Sequence, residues 1–126
     1  MTINEVIENV KRLKEGCDID EKQLISDINR VEMYVLYNVV SGREGDNEIV
    51  TSFGNYNLHT DRDTELFVPA PFDRIYEEFC CGKVDLEYGD DERYANDSTA
   101  YNNTLTEFKL FWWKRHRQKK RYQFHL

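Results

Sequence analysis

The chain holds 126 residues and 15.1 kDa, a length that suits one domain with its own core. Hydrophobic residues make up 40% and aromatics 13%, which argues against a disordered chain, and no apolar run reaches the roughly 20 residues of a membrane span. The net charge of −7 is unevenly divided: residues 1–113 carry 11 basic side chains against 24 acidic ones, whereas residues 114–126 carry six basic side chains and no acidic one.

Thr2 and Glu5 stand at capping-box spacing, and Ile3, Val6, Ile7, Val10 and Leu13 follow at helical intervals. They predict a first helix that stops at Gly16. The second start is sharper, with Asp20 as cap, Gln23 at the third position, and Ile19 and Leu24 placed as a hydrophobic staple. Its stripe is Leu24, Ile28, Val31, Val35 and Val39, widened by Ile25, Leu36 and Val40, and it ends at Gly42. The short link between these helices predicts an antiparallel pair. Residues 42–47 read as a turn. Residues 49–53 and 66–68 favour extended structure, which predicts a β-hairpin or extended arm over residues 48–68. With no helical period to bury them, its apolar residues Ile49, Val50, Phe53, Tyr56, Leu58, Leu66 and Phe67 are expected to await a partner. Residues 69–71, with Pro69 and Pro71, open a third helix whose apolar face is Phe72, Ile75, Tyr76, Phe79, Cys80 and Leu86. A last helix starts near Glu92 and runs into the basic tail. Tyr94, Tyr101, Leu105, Phe108 and Trp112 form one near-heptad stripe on it, widened by Phe111 and Trp113. The prediction is a single all-α domain over residues 1–126: four helices, an arm between helices 2 and 3, and a core where the second and last helices meet.

Candidate chemistry is sparse. His59, Asp61, Asp63 and Glu65 alternate, so an extended strand would place them on one face as a ligand set for a divalent metal. The competing reading is a solvated edge whose charges prevent unwanted pairing. Leu66 occupies the position where a calcium loop needs glycine. Adjacent Cys80 and Cys81 lack redox or zinc spacing, and Cys80 reads as core packing; Cys17 lies in a turn. Three unpaired cysteines and a charged Met1–Lys14 stretch without an apolar leader fit a reducing compartment. Asp85 and Glu87 read as a solvated helix face. His116 and His125 have no matching nucleophile, and no phosphate-cradling glycine loop occurs. No catalytic residue, cofactor or metal is expected from this set.

The run Asp63-Thr64-Glu65-Leu66-Phe67-Val68-Pro69-Ala70-Pro71-Phe72-Asp73-Arg74-Ile75-Tyr76 resembles a pattern found in small proteins of tailed bacteriophages. There an acidic-Leu-x-Val-Pro-x-Pro stretch leads into a helix with an aromatic-Asp start and a later Tyr. A second piece, Glu92 to Ser98 followed by the aromatic helix Leu105 to His116, is similar as well, with Ala95 where the pattern has another Asn. The family is that of head–tail connector, or head completion, proteins. The resemblance implies a mainly helical virion structural protein that forms a ring linking the portal protein to the tail or a stopper protein. DNA would pass through the lumen without sequence-specific binding. Membrane contact is not implied. The location would be the virion neck, with the host cytoplasm during assembly. The main alternative is a small phage nucleic-acid-binding or regulatory protein using the basic tail. A third reading is a metal-dependent hydrolase built on His59, Asp61, Asp63 and Glu65.

Overall fold

The computed structural model describes residues 1–46 and 55–119. The described residues form four α-helices: α1 (Ile3–Leu13), α2 (Glu21–Val35), α3 (Arg74–Glu87) and α4 (Asp91–Arg115). The described residues contain isolated bridges, Thr2 with Glu65 and Arg43 with Gln118, but no strand.

The helix starts follow from their caps. The Glu5 amide donates to Thr2 Oγ1 at 3.1 Å, and the Lys22 amide donates to Asp20 Oδ1 at 3.0 Å. Each bond satisfies an amide that has no partner within the first turn. Ile3, Val6, Ile7 and Val10 of α1 are buried, as are Leu24, Ile28, Val31 and Val35 of α2. Gly16 follows α1 at φ +89°, a left-handed geometry that glycine adopts without a side-chain clash. The end of α2 widens into a π-helical turn, Leu36–Val40, before Gly42 at φ +82°. The Ser41 amide closes this turn on the Leu36 carbonyl at 2.9 Å.

The centre of the molecule is α3. It packs along α4 and also against α1 and α2, whereas α4 meets the second helical segment at its π-helical turn. The expected core between the second and last helices is therefore corrected. The reason lies in α3 itself: Ile75, Tyr76, Cys80, Cys81, Gly82, Val84 and Asp85 are buried and surround most of its circumference. A helix buried nearly all round occupies a centre, not an edge. Leu86, assigned to its apolar face, is 49% exposed. Nor does α3 begin at the prolines. Residues 69–73 form turns, with Phe72 N–Pro69 O at 2.9 Å and Ile75 N–Phe72 O at 3.1 Å. Asp73 makes no side-chain cap; its carboxylate faces the Met1 ammonium at 3.6 Å.

The arm is corrected as well. Its first part, with Ile49, Val50 and Phe53, lies outside the described residues. Residues 55–68 form a strap of turns and coil across the helices. Leu66 and Val68 are buried, Tyr56 and Phe67 are packed on the core, and Leu58 remains exposed. The strap completes α1: the Ile3 amide donates to Thr64 O at 3.2 Å and the Asn4 amide to Arg62 O at 2.9 Å. Together with the Thr2 side chain and carbonyl, these bonds satisfy the first four amides of α1.

Candidate functional site

The 63–76 run and the aromatic half of α4 meet in one aromatic cluster. Phe67 lies edge-on to Trp112 at 5.2 Å and to Phe108 at 6.3 Å. Phe72, which directly follows Pro71, packs on Phe108 at 5.5 Å and Phe111 at 5.0 Å. Edge-on and tilted rings let the positive rim of one aromatic meet the negative face of another. The near-heptad stripe of α4 is thus a core face, and Phe108 is fully buried.

The same cluster anchors the basic end. Trp113 Nε1 donates to the Val39 carbonyl at 2.9 Å, which ties the end of α4 to the π-helical turn after α2. Arg43 and Lys109 sit over the Trp113 ring at 4.2 and 5.2 Å, and Arg115 lies 4.0 Å from the Phe111 ring. The His116 ring stacks on Trp112 at 3.8 Å. The predicted run of helix into the tail is corrected: α4 stops at Arg115, and the chain turns back along the loop after α2. The Glu44 amide donates to Arg117 O at 2.7 Å, the Lys119 amide donates to Gly42 O at 3.0 Å, and Lys119 pairs with Asp46. Lys114, Arg115 and Arg117 are exposed and make no ion pair among the described residues. His125, Lys120 and Arg121 lie outside the described residues.

Two polar devices on the helices escaped the sequence reading. Glu32 sits on the apolar side of α2 and is fully buried. Its Oε1 accepts from the Phe67 amide at 3.1 Å and from the Tyr56 hydroxyl at 3.3 Å. One turn earlier, Asn29 exchanges two bonds with Tyr56, donating to its carbonyl at 2.8 Å and accepting from its amide at 3.0 Å. The Tyr76 hydroxyl accepts from the Val68 amide at 2.9 Å. Burial raises the Glu32 carboxyl, against the lowering effect of the Phe67 amide and the Tyr56 and Tyr76 hydroxyls. The signal was available: a glutamate flanked by Val31 and Val35 within an apolar stripe needs a polar partner from elsewhere.

The second device is an ion cluster. Asp85, expected on a solvated face, is 4% exposed and bonded to Lys14 Nζ at 2.7 Å. Asp97 of α4 lies 3.4 Å from the same ammonium. Gly82 faces α4 here, and a Cβ at that position would make an ordinary van der Waals contact with the Asp97 Cβ at 3.6 Å. Burial and a hydrogen bond with Asp85 push the Asp97 carboxyl up to about 6, against the opposing pull of Lys14. Burial alone would lower the Lys14 ammonium, but the Asp85 bond and both carboxylate charges outweigh it and raise it. One lysine therefore joins the end of α1 to α3 and α4.

The alternating set does not converge. His59 lies exposed in a turn, where its amide donates to Asn57 Oδ1 at 2.7 Å. Asp61 Oδ1 accepts from the Asp63 amide at 2.9 Å, and Glu65 pairs with the Met1 ammonium at 3.1 Å. Arg62, between them in sequence, reaches Glu21 at 3.0 Å. Turns break the two-residue alternation that a strand would have kept on one face. Among the described residues no group of three or more His, Cys, Asp or Glu is placed to hold a metal ion. Cys80 and Cys81 are buried, and burial raises both thiols, Cys81 to about 12, so neither carries appreciable nucleophilic thiolate near neutral pH.

The fold defines a mostly helical protein of four α-helices bound by a coil strap. Compared with known proteins, the chain matches no family model, no curated protein and no solved structure.

Proposed function

We propose that the protein is a structural subunit of a phage virion neck, forming a ring that links the portal to the tail. The observation that supports this reading is the meeting of the two resembling pieces. The run 63–76 and the aromatic half of α4 pack on each other through Phe67, Phe72, Phe108, Phe111 and Trp112. A pattern shared across separated segments has a physical basis when those segments form one packed unit. The charge layout fits the role: an acidic body beside a DNA path repels the passing duplex, and a basic end offers a complementary surface to a neighbour. The part of the predicted arm at residues 48–54, with Ile49, Val50 and Phe53, serves in this reading as the segment that reaches the portal or the tail.

The test is assembly. The full chain is expressed beside the portal protein of its own genome, and complexes are imaged by electron microscopy. Rings stacked on the portal are expected. Absence of any complex, together with DNA binding that weakens steeply with salt, would favour the nucleic-acid reading through the basic tail.

A further inference from the structure

At the start of α2, opposite the end where the basic segment is anchored, the surface opens into a cavity of about 380 Å³. Asp18, Asp20, Gln23, Asp27, Lys83 and Glu87 supply its polar lining. Four carboxylates there face a single ammonium. Lys83 turns its ammonium toward the Phe79 ring, 5.3 Å away, and forms no ion pair among the described residues. Asp27 forms the buried part of the wall and is 1% exposed. Its Oδ1 accepts from Gln23 Nε2 at 3.1 Å, while Oδ2 has no hydrogen-bond partner among the described residues. A buried carboxylate oxygen without a donor costs free energy, and a cation brought into the cavity would remove that cost. Burial also holds the Asp27 carboxyl above its ordinary range, with Glu87 acting in the same direction, against the lowering effect of the Gln23 bond and of the Arg30 and Lys83 charges.

We propose that this cavity is the receptor for a cationic side chain from the basic C-terminal segment of a second copy of the chain. The described part of the chain's own segment, up to Lys119, is held away from it. Trp113 holds the end of α4 at Val39, and the Lys119 amide is tied to Gly42 beyond it. From Asp27 to Val39 the axis of α2 covers roughly 18 Å at the helical rise per residue. Lys114, Arg115 and Arg117 are exposed cations at the far end, with the Arg115 guanidinium lying over the Phe111 ring. The segment 114–126 has six basic residues and no acid, so charge complementarity names the partner surface. A site at one end of the molecule and its ligand at the other make a head-to-tail contact, the type that builds rings. The inference supplies the intersubunit contact of the proposed neck ring, and it rests on that reading only for closure of the ring.

Sedimentation of the full-length protein at low salt tests it. Wild type is expected to self-associate, with the association lost at high salt by screening. The pocket variant Asp27→Asn is expected to weaken association at least about tenfold, because a desolvated charge pair loses one partner. Asp18→Asn with Glu87→Gln changes only exposed pocket residues and should act in the same direction without risk to the core. The tail variant, Lys114, Arg115 and Arg117 each replaced by Gln, should also remain monomeric. Mixing a pocket variant with the tail variant is expected to restore dimers that grow no further, since one intact pocket and one intact tail remain. Glu8→Gln with Glu92→Gln removes exposed acids elsewhere and should leave association unchanged. Monomeric wild type at millimolar concentration and low salt, pocket variants that associate normally, or mixtures that stay monomeric would each overturn the proposal. Portal binding reports separately: failure there with pocket-dependent association intact removes the connector reading and leaves the receptor pocket standing.

Discussion

Glu32 and Lys14 each hold the fold by a means that apolar patterning does not describe. The Glu32 carboxylate accepts from the Phe67 amide and the Tyr56 hydroxyl at a fully buried position and forms no ion pair among the described residues. Its folded pKa is raised, so the stability it contributes is present at low pH and is lost as the pH climbs through that raised value. Glu32→Gln keeps the oxygen that the Phe67 amide needs and removes the buried charge. It is expected to match or exceed wild-type stability above neutral pH, whereas Glu32→Ala strands the amide and opens a void at a cost of about 2–4 kcal/mol. Denaturant titration at several pH values distinguishes them; equal losses for both substitutions would mean that the charge itself is required. The Lys14 cluster makes a second pH prediction. Burial pushes the Asp97 carboxyl of the folded chain up to about 6, above the ordinary aspartate range, so its contribution fades as the pH rises through about 6. Asp97→Asn should flatten the thermal-stability profile between roughly pH 4 and 7. Lys14→Met leaves two carboxylates without their cation and is expected to cost about 3–5 kcal/mol. A pH profile unchanged by Asp97→Asn would show that this carboxyl titrates normally.

Among the elements, the helices and the strap differ in how they were legible. Thr2, Asp20, Gly16 and the stripes of α1 and α2 specify their helices locally, because caps and 3.6-residue periodicity act within a few residues of chain. Asp20→Ala should accordingly cost about 1 kcal/mol by loss of the Lys22 amide bond. The strap has no such local determinant. Its amides find Met1, Glu32 and Tyr76, all distant in sequence or on another element, so residues 55–68 read as an exposed arm until those partners are in place. Amide exchange separates the two pictures. Protection of Leu66, Phe67 and Val68 comparable to that of α1 is expected, with rapid exchange at Leu58. Uniformly fast exchange across the strap in a folded protein would restore the free arm. The position of α3 was equally hidden, since scoring one apolar stripe overlooks a helix whose second side is covered by Cys81, Val84 and Asp85.

For the molecule as a whole, the separated charges become a direction. The basic end is folded back on the 42–46 loop through the Arg117 carbonyl, the Gly42 carbonyl and the Lys119–Asp46 pair. Removal of residues 116–126 is expected to leave helix content by circular dichroism almost unchanged, because α4 is complete at Arg115. Exchange at the Glu44 amide should accelerate at the same time, as its acceptor is removed. Loss of helix on truncation would mean that the segment supports α4 itself. By itself the sequence determined the all-α class, the caps of α1 and α2, the buried stripes of those two helices apart from Leu13, which is 53% exposed, the buried Leu105 and Phe108 of α4, and the concentration of positive charge after residue 113. These properties depend on composition and on neighbours one or two turns away. Only the tertiary structure decided that α3 is central, that residues 55–68 complete α1, that Asp85 is paired with Lys14, and that Asp27 lines an open acidic cavity. Each of those depends on which distant groups share a desolvated space, where a charge must be matched by whatever the fold brings beside it.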